Sequence, residues 1–161
     1  MEKENKKPKE TTVLLITCYK RKYTEESLSK IRSIINKIKP DRIIILKVIQ
    51  KIPDTEMVDA NIGYSDREKL KETIERLKKD DADELGSQLI QMIDKLDIPY
   101  EVHFRIGDMI SEEIVDEYKC VNVIGLIMHR TPRSHIDKLI EPSTEDKVVK
   151  KLGKKNIIFL E

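Results

Sequence analysis

The sequence predicts a doubly wound α/β fold: a five-stranded parallel sheet with helices on both faces. Three observations predict it. Strand-like and helix-like segments alternate along the chain, five of the first and four of the second. Two of the strand-like runs, Ile43–Ile49 and Val121–Met128, are almost continuously apolar, as strands covered on both faces must be. Capping and breaking residues stand between the segments. Strands separated by helices run parallel through right-handed crossovers, so the alternation carries the topology class with it.

Each element has its own grounds. Thr11–Cys18 is a β-branched apolar run and reads as the first strand. Thr24 is placed to cap the following helix, with Glu25 and Glu26 at its positive end. Leu28, Ile31, Ile34, Ile35 and Ile38 form its apolar stripe, and Pro40 stops it. Ile43–Ile49 is the second strand. Ser65 and Glu68 have capping-box spacing and open a long helical pattern through Leu70, Ile74, Leu77, Leu85, Leu89, Met92, Ile93 and Leu96. The polar stretch Lys78–Asp83 marks a point where that helix bends or breaks. Pro99 ends it.

Tyr100, Val102, Phe104 and Ile106 alternate with polar residues, the period of a third strand. Gly107 turns the chain, and Asp108 or Ser111 caps a short helix carrying Ile110, Ile114, Val115 and Tyr118. Val121–Met128 is the fourth strand, followed by a loop, Met128–Pro142. Ser143 and Asp146 repeat the capping-box spacing with the shorter acid. Val148, Val149 and Leu152 face the core, Gly153 closes the helix and Asn156–Leu160 is the last strand. In such a sheet a ligand sits beyond the carboxyl ends of the strands, where strand order reverses.

Composition narrows the function. The chain has 161 residues, enough for one core, with residues 1–10 a charged, solvated tail and 11–161 the folded domain. Basic and acidic residues number 31 and 30, so no electrostatic footprint for nucleic acid exists, and 4% aromatic content offers few platforms for bases. The apolar runs are too short to cross a bilayer and Met1–Glu10 has no apolar signal region, so the cytoplasm is the expected compartment. Cys18 and Cys120 fit no metal spacing and read as free thiols. No Walker loop, dinucleotide fingerprint, nucleophile motif or catalytic carboxylate pair is visible.

The element order and the loop after the fourth strand together resemble the universal stress proteins of the UspA type. Members that bind ATP carry G-x2-G-x9-G-[S/T] in that loop. Here the spacing survives with other residues: His129 and Pro132 enclose two residues, and nine more precede Pro142-Ser143. Ile136, Leu139 and Ile140 match the family's apolar spacer, Asp146 its helical acid, and Gly107-Asp108 its third strand-to-helix junction. The resemblance implies an adenine-nucleotide α-hydrolase-like sheet of order 3-2-1-4-5. It places the ligand between Cys18–Lys22 and Met128–Pro142, with Tyr19 and Val48 lining an adenine pocket or packing as core. It also implies a homodimer in which the apolar edge strand, residues 156–160, pairs with its copy across a twofold axis.

The departures shape the functional expectation. Relatives that bind ATP place Asp where Cys18 stands. Pro132 and Pro142 have no N–H and a fixed φ where glycine would present bare amides to phosphate. Two lost charge-assisted bonds cost roughly 3–6 kcal/mol, on the order of a hundred- to ten-thousand-fold in affinity. ATP or another adenine nucleotide is therefore disfavoured as a cofactor.

His129, Arg130, Arg133 and His135 gather cationic or ionisable groups in the same loop, and Ser143 and Thr144 open a helix, so a different anion remains an alternative. Solvated pairing of these groups with Asp137, Glu141 and Glu145 is the plainer reading. Cys18, Val48, His129, Arg130, Arg133, Ser143 and Thr144 are the candidate ligand residues, with no catalytic or metal set. Cys18 beside Lys20-Arg21-Lys22 is either a redox-sensitive thiol or a buried small hydrophobe, and Cys120 reads as a packing residue. The expected function is a non-catalytic regulatory or stress-response module; slow nucleotide hydrolysis has no identifiable base.

Overall fold

The computed structural model describes residues 11–19, 23–51, 64–130 and 143–160. The charged tail, the basic triplet at 20–22 and most of the loop that carries Pro132, Arg133, His135 and Pro142 lie outside the described residues. Five strands and four helices alternate among the described residues: β1 (Val13–Cys18), α1 (Glu25–Ile38), β2 (Arg42–Gln50), α2 (Tyr64–Lys95), β3 (Tyr100–Gly107), α3 (Ile110–Cys120), β4 (Val123–His129), α4 (Thr144–Leu152) and β5 (Ile157–Leu160). All strand pairs are parallel, in the order β3-β2-β1-β4-β5. Strand order therefore reverses between β1 and β4, as the resemblance implied.

The apolar runs explain the layering. β1 is buried throughout, and Ile43, Ile44, Ile45 and Leu46 of β2 are completely buried, because helices cover the sheet on both sides. One core lies against α1 and α2 and joins Leu14, Ile16, Ile31, Ile35, Ile43, Ile45, Leu89 and Ile93. The other lies against α3 and α4 and joins Leu15, Ile44, Leu46, Val48, Ile114, Val115, Leu126 and Val148. Successive strand residues feed opposite cores, so each strand ties the two layers together. Burying side chains of this size contributes about 1.5–3 kcal/mol each before entropy is counted.

Local signals set most helix ends. Thr24 caps α1, its hydroxyl accepting from the Ser27 N–H at 3.1 Å. Lys39 closes α1 in the left-handed region, φ 50°, its N–H donating to the Ile35 carbonyl, and Pro40 forbids continuation.

Three expectations need correction. α2 is one continuous helix of 32 residues, running through the polar stretch without a break. At 1.5 Å per residue it extends about 48 Å, against about 30 Å for the nine-residue β2, so it outruns the sheet. Its core residues come from the second half, Leu89, Met92 and Ile93, while Leu70 and Leu77 are exposed. The side chain of Ser65 lies outside the described residues, so its capping box is not described. The N-cap of α3 is Met109, which makes no side-chain cap bond; neither Asp108 nor Ser111 fills that place. Cys120 is exposed, because the last turn of α3 presents it to solvent rather than to the sheet.

One residue inside β2 breaks the apolar rule. Lys47 is buried, with its ammonium 5.4 Å from the centre of the Phe104 ring. Gly86 of α2 makes room for it, since a Cβ there would stand 2.6 Å from Lys47 Cε.

Candidate functional site

The reversal point is formed by the carboxyl ends of β1 and β4 and the amino end of α4. β1 and β4 are held together below it by their ladder and by the Thr17 hydroxyl, which donates to the Ile127 carbonyl at 2.9 Å. Beyond the last rung, Tyr19 turns toward α4. Its hydroxyl donates to Glu145 Oε1 at 3.0 Å and lies 3.4 Å from the His129 carbonyl oxygen. Burial, reinforced by the Glu145 carboxylate, holds the Tyr19 phenol far above its ordinary range, so it remains a donor.

The start of α4 carries a reciprocal cap. The Ser143 hydroxyl accepts from the Asp146 N–H at 3.1 Å, and Asp146 Oδ2 accepts from the Ser143 N–H at 3.4 Å. This is the capping box that the sequence predicted, and the acids at Glu145 and Asp146 complement the positive helix end. Glu145 itself is buried. A helix start that would attract a phosphate thus already holds the chain's own carboxylates.

A second aromatic closes the opposite face. Tyr23 is buried and its hydroxyl donates to the Thr17 carbonyl. Its ring meets the His129 imidazole at 4.2 Å between centroids, tilted by 44°. Burial pushes the Tyr23 phenol up, and the neighbouring Cys18 and Tyr19 add to it. Cys18 packs in the same core. Burial pushes its thiol up to about 12 despite the nearby Lys47, which favours a buried hydrophobe over a reactive thiolate.

The candidate residues do not converge on one surface. Cys18 and His129 belong to the face covered by α1, whereas Val48, Ser143 and Thr144 belong to the face covered by α3 and α4. Val48 is buried among core side chains. Arg130 places its guanidinium 5.2 Å from the Phe159 ring centre, and its N–H donates to the Leu160 carbonyl, so it leans on the β5 edge. Arg133 lies outside the described residues. Among the described residues, no group of three or more His, Cys, Asp and Glu is placed to hold a metal.

The sequence reading missed one participant, Tyr23, and misplaced another, Glu145. Tyr23 had a signal, since a lone aromatic just before an N-cap is a hydrophobic-staple position. Glu145, expected as a solvated partner of the loop's Arg and His groups, is instead buried under Tyr19; an acid in a first helical turn is ordinary, and nothing local announces a partner 126 residues away.

Comparison with known proteins agrees with this architecture. No protein-family model and no curated protein matches the sequence. Among solved structures, a universal stress protein from Archaeoglobus fulgidus matches with TM-score 0.57 and 18% identity, over 94% of this chain and 93% of its own. The hypothetical protein MJ0577, whose biochemical function was assigned from its structure, matches with TM-score 0.57 and 18% identity, over 93% of this chain and 94% of its own. A universal stress protein in complex with cAMP matches with TM-score 0.53 and 12% identity, over 94% of this chain and 97% of its own. The sheet order, the parallel pairing and these neighbours together establish that this chain has the universal-stress-protein fold.

Proposed function

We propose that the protein is a non-catalytic regulatory or stress-response module of the universal-stress type that does not bind ATP tightly. One observation carries this reading: the buried Glu145 carboxylate, held by Tyr19 at 3.0 Å, stands in the first turn of α4, next to where a phosphate would approach. Bringing a polyphosphate against a fixed carboxylate costs Coulomb energy, and the Asp146 N–H, one of the amides at the helix start, is already taken by the Ser143 hydroxyl. Pro132 and Pro142 in the loop sequence remove two further amides.

Millimolar Mg-ATP is expected to leave the Tm unchanged, because only a ligand that binds the native state raises it. A stabilisation of several degrees would overturn the reading. Release of phosphate from ATP with Mg or Mn present would overturn its non-catalytic part.

A second reading has one observation in its favour: a structural neighbour is a universal stress protein in complex with cAMP. A nucleotide with one phosphate meets less repulsion at Glu145 than ATP does. On this reading cAMP raises the Tm, and Arg130→Ala combined with Arg133→Ala removes the rise.

The assembly belongs to the same proposal. β5 is an edge strand of four apolar residues, and a groove of about 490 Å³ beside it is lined by Ile34, Ile158 and Leu160 together with the polar Glu26, Ser29, Lys30 and Ser33 of α1. A copy pairing across a twofold axis at β5 would cover both, giving a homodimer. The cytoplasm is the compartment proposed; among the described residues no helix is long and apolar enough to cross a membrane.

A further inference from the structure

β3 forms the other edge of the sheet. There the core residues Ile44, Leu46 and Val48 of β2 have Glu101, His103 and Arg105 as their neighbours on β3. These three polar side chains meet α3. Arg105 Nε donates to Glu117 Oε2 at 2.7 Å and its Nη1 to Glu113 Oε2 at 3.3 Å, with its Nη2 3.9 Å from Cys120 Sγ. From β2, Arg42 Nη1 donates to Glu101 Oε1 at 2.9 Å. His103 stands between the two remaining carboxylate oxygens. Its Nε2 lies 2.8 Å from Glu101 Oε2, and its Nδ1 is bonded to Glu117 Oε1.

Counting protons decides the state of this ring. An ionised carboxylate only accepts, and a neutral imidazole carries a single N–H, so it serves one of the two carboxylates but not both. Only the imidazolium fills both contacts. Charge agrees: with the ring protonated, Arg42, His103 and Arg105 face Glu101, Glu113 and Glu117, three charges against three. A neutral ring leaves the group one positive charge short. Burial opposes the charged ring, yet hydrogen bonds and charges from Glu117 and Glu101 outweigh it and raise it above its ordinary value. The hydrogen bond from His103 and the charge of Arg42 hold the Glu101 carboxyl below its own.

The two contacts are not equivalent. The Glu117 side chain is 7% exposed and that of Glu101 48%. Each carboxylate has an arginine on its other oxygen, so burial is what separates them. Glu101 can exchange an imidazole N–H for water. Glu117 cannot, and an unserved buried acceptor facing a bare ring nitrogen costs far more than a hydrated one. We propose that His103 is a proton-operated clasp at the sheet edge: doubly protonated, it holds Glu101 of β3 and Glu117 of α3 together, and on losing its Nε2 proton to water it keeps Glu117 and releases Glu101 to solvent. The Nε2–H bond is the only one that breaks. The outer strand gains one net negative charge while its tie to α3 stays, so the edge changes its charge with pH without unfolding.

Imidazole nitrogen NMR on the full chain, from about pH 5 to 10, reads the proton directly. The His103 signals are those that His103→Gln removes. Both of its nitrogens are expected to carry protons at the low end, and above the transition Nδ1 is expected to stay protonated with Nε2 bare. Glu101→Gln, at an exposed position, should lower the midpoint and leave the proton on Nδ1. A neutral ring protonated on Nε2 in the parent protein overturns the proposal. So does a midpoint at or below about 6.5, the ordinary imidazole value, or one that Glu101→Gln does not move. If His103→Gln does not fold, the ring whose midpoint moves in Glu101→Gln identifies His103, and the absence of any such ring overturns the proposal.

Discussion

The Tyr19 hydroxyl donates to the buried Glu145 carboxylate at 3.0 Å, joining the end of β1 to the first turn of α4 across the point where strand order reverses. The pair couples this junction to stability. Tyr19→Phe leaves a buried carboxylate short of a donor, which costs about 1–3 kcal/mol. Glu145→Gln keeps an acceptor for Tyr19 and is expected to cost less. Urea unfolding of the two variants checks the order; equal losses, or none for Tyr19→Phe, would show that the bond does not hold the junction.

Ser143 caps α4. Its hydroxyl satisfies the Asp146 N–H, so Ser143→Ala is expected to lower stability by about 1 kcal/mol with no nucleotide present. Thr24→Ala, at the matching position of α1, should cost a similar amount. Thermal unfolding of both variants makes the comparison; a Ser143 variant as stable as the parent would show that the cap bond does not hold α4.

The cluster between β3 and α3 gives stability a two-sided pH dependence. For Glu117, burial opposes ionisation, but the hydrogen bonds and charges of His103 and Arg105 outweigh it and hold the carboxyl below its ordinary range. For His103, burial opposes the imidazolium, but hydrogen bonds and charges from Glu117 and Glu101 prevail and raise it. The Glu117 contribution is present above the ordinary carboxylate value and is lost as pH falls through the lowered one. The His103 contribution is complete below the ordinary imidazole value and is lost as pH rises through the raised one. Stability is therefore expected to peak between about pH 4.5 and 6.5. His103→Gln should flatten the high-pH limb and Glu117→Gln the low-pH limb in denaturant titrations.

The two cysteines should react unequally. Cys120 is exposed, whereas Cys18 is buried with its thiol pushed up to about 12. A thiol reagent at neutral pH is expected to modify Cys120 alone in the folded protein and both cysteines after unfolding. Rapid modification of Cys18 in the native state would revive a redox role for it.

The periodic parts of the chain were readable because their causes are local. The unbroken apolar run from Ile43 to Leu46 can be buried only if both faces of its strand are covered, and both are. Thr24 and Ser143 announce helix starts because a cap acts within three residues of itself. The polar stretch inside α2 misled for a related reason. Lys and Ala are good helix formers and Asp costs less than about 1 kcal/mol in a helix, so a polar stretch of these residues interrupts the apolar stripe without ending the helix.

By itself, the sequence determined which segments are strands and helices, that the sheet is parallel, and that the loop after β4 lacks the glycines of a phosphate cradle. Only the tertiary structure decided what surrounds each polar group. It buried Glu145 under Tyr19, set Tyr23 against His129, and separated Cys18 from Val48 on opposite faces of the sheet. The physical reason is range. Propensity and capping act over a few residues, whereas burial, hydrogen-bond partners and pKa are set by neighbours that parallel crossovers bring from more than a hundred residues away.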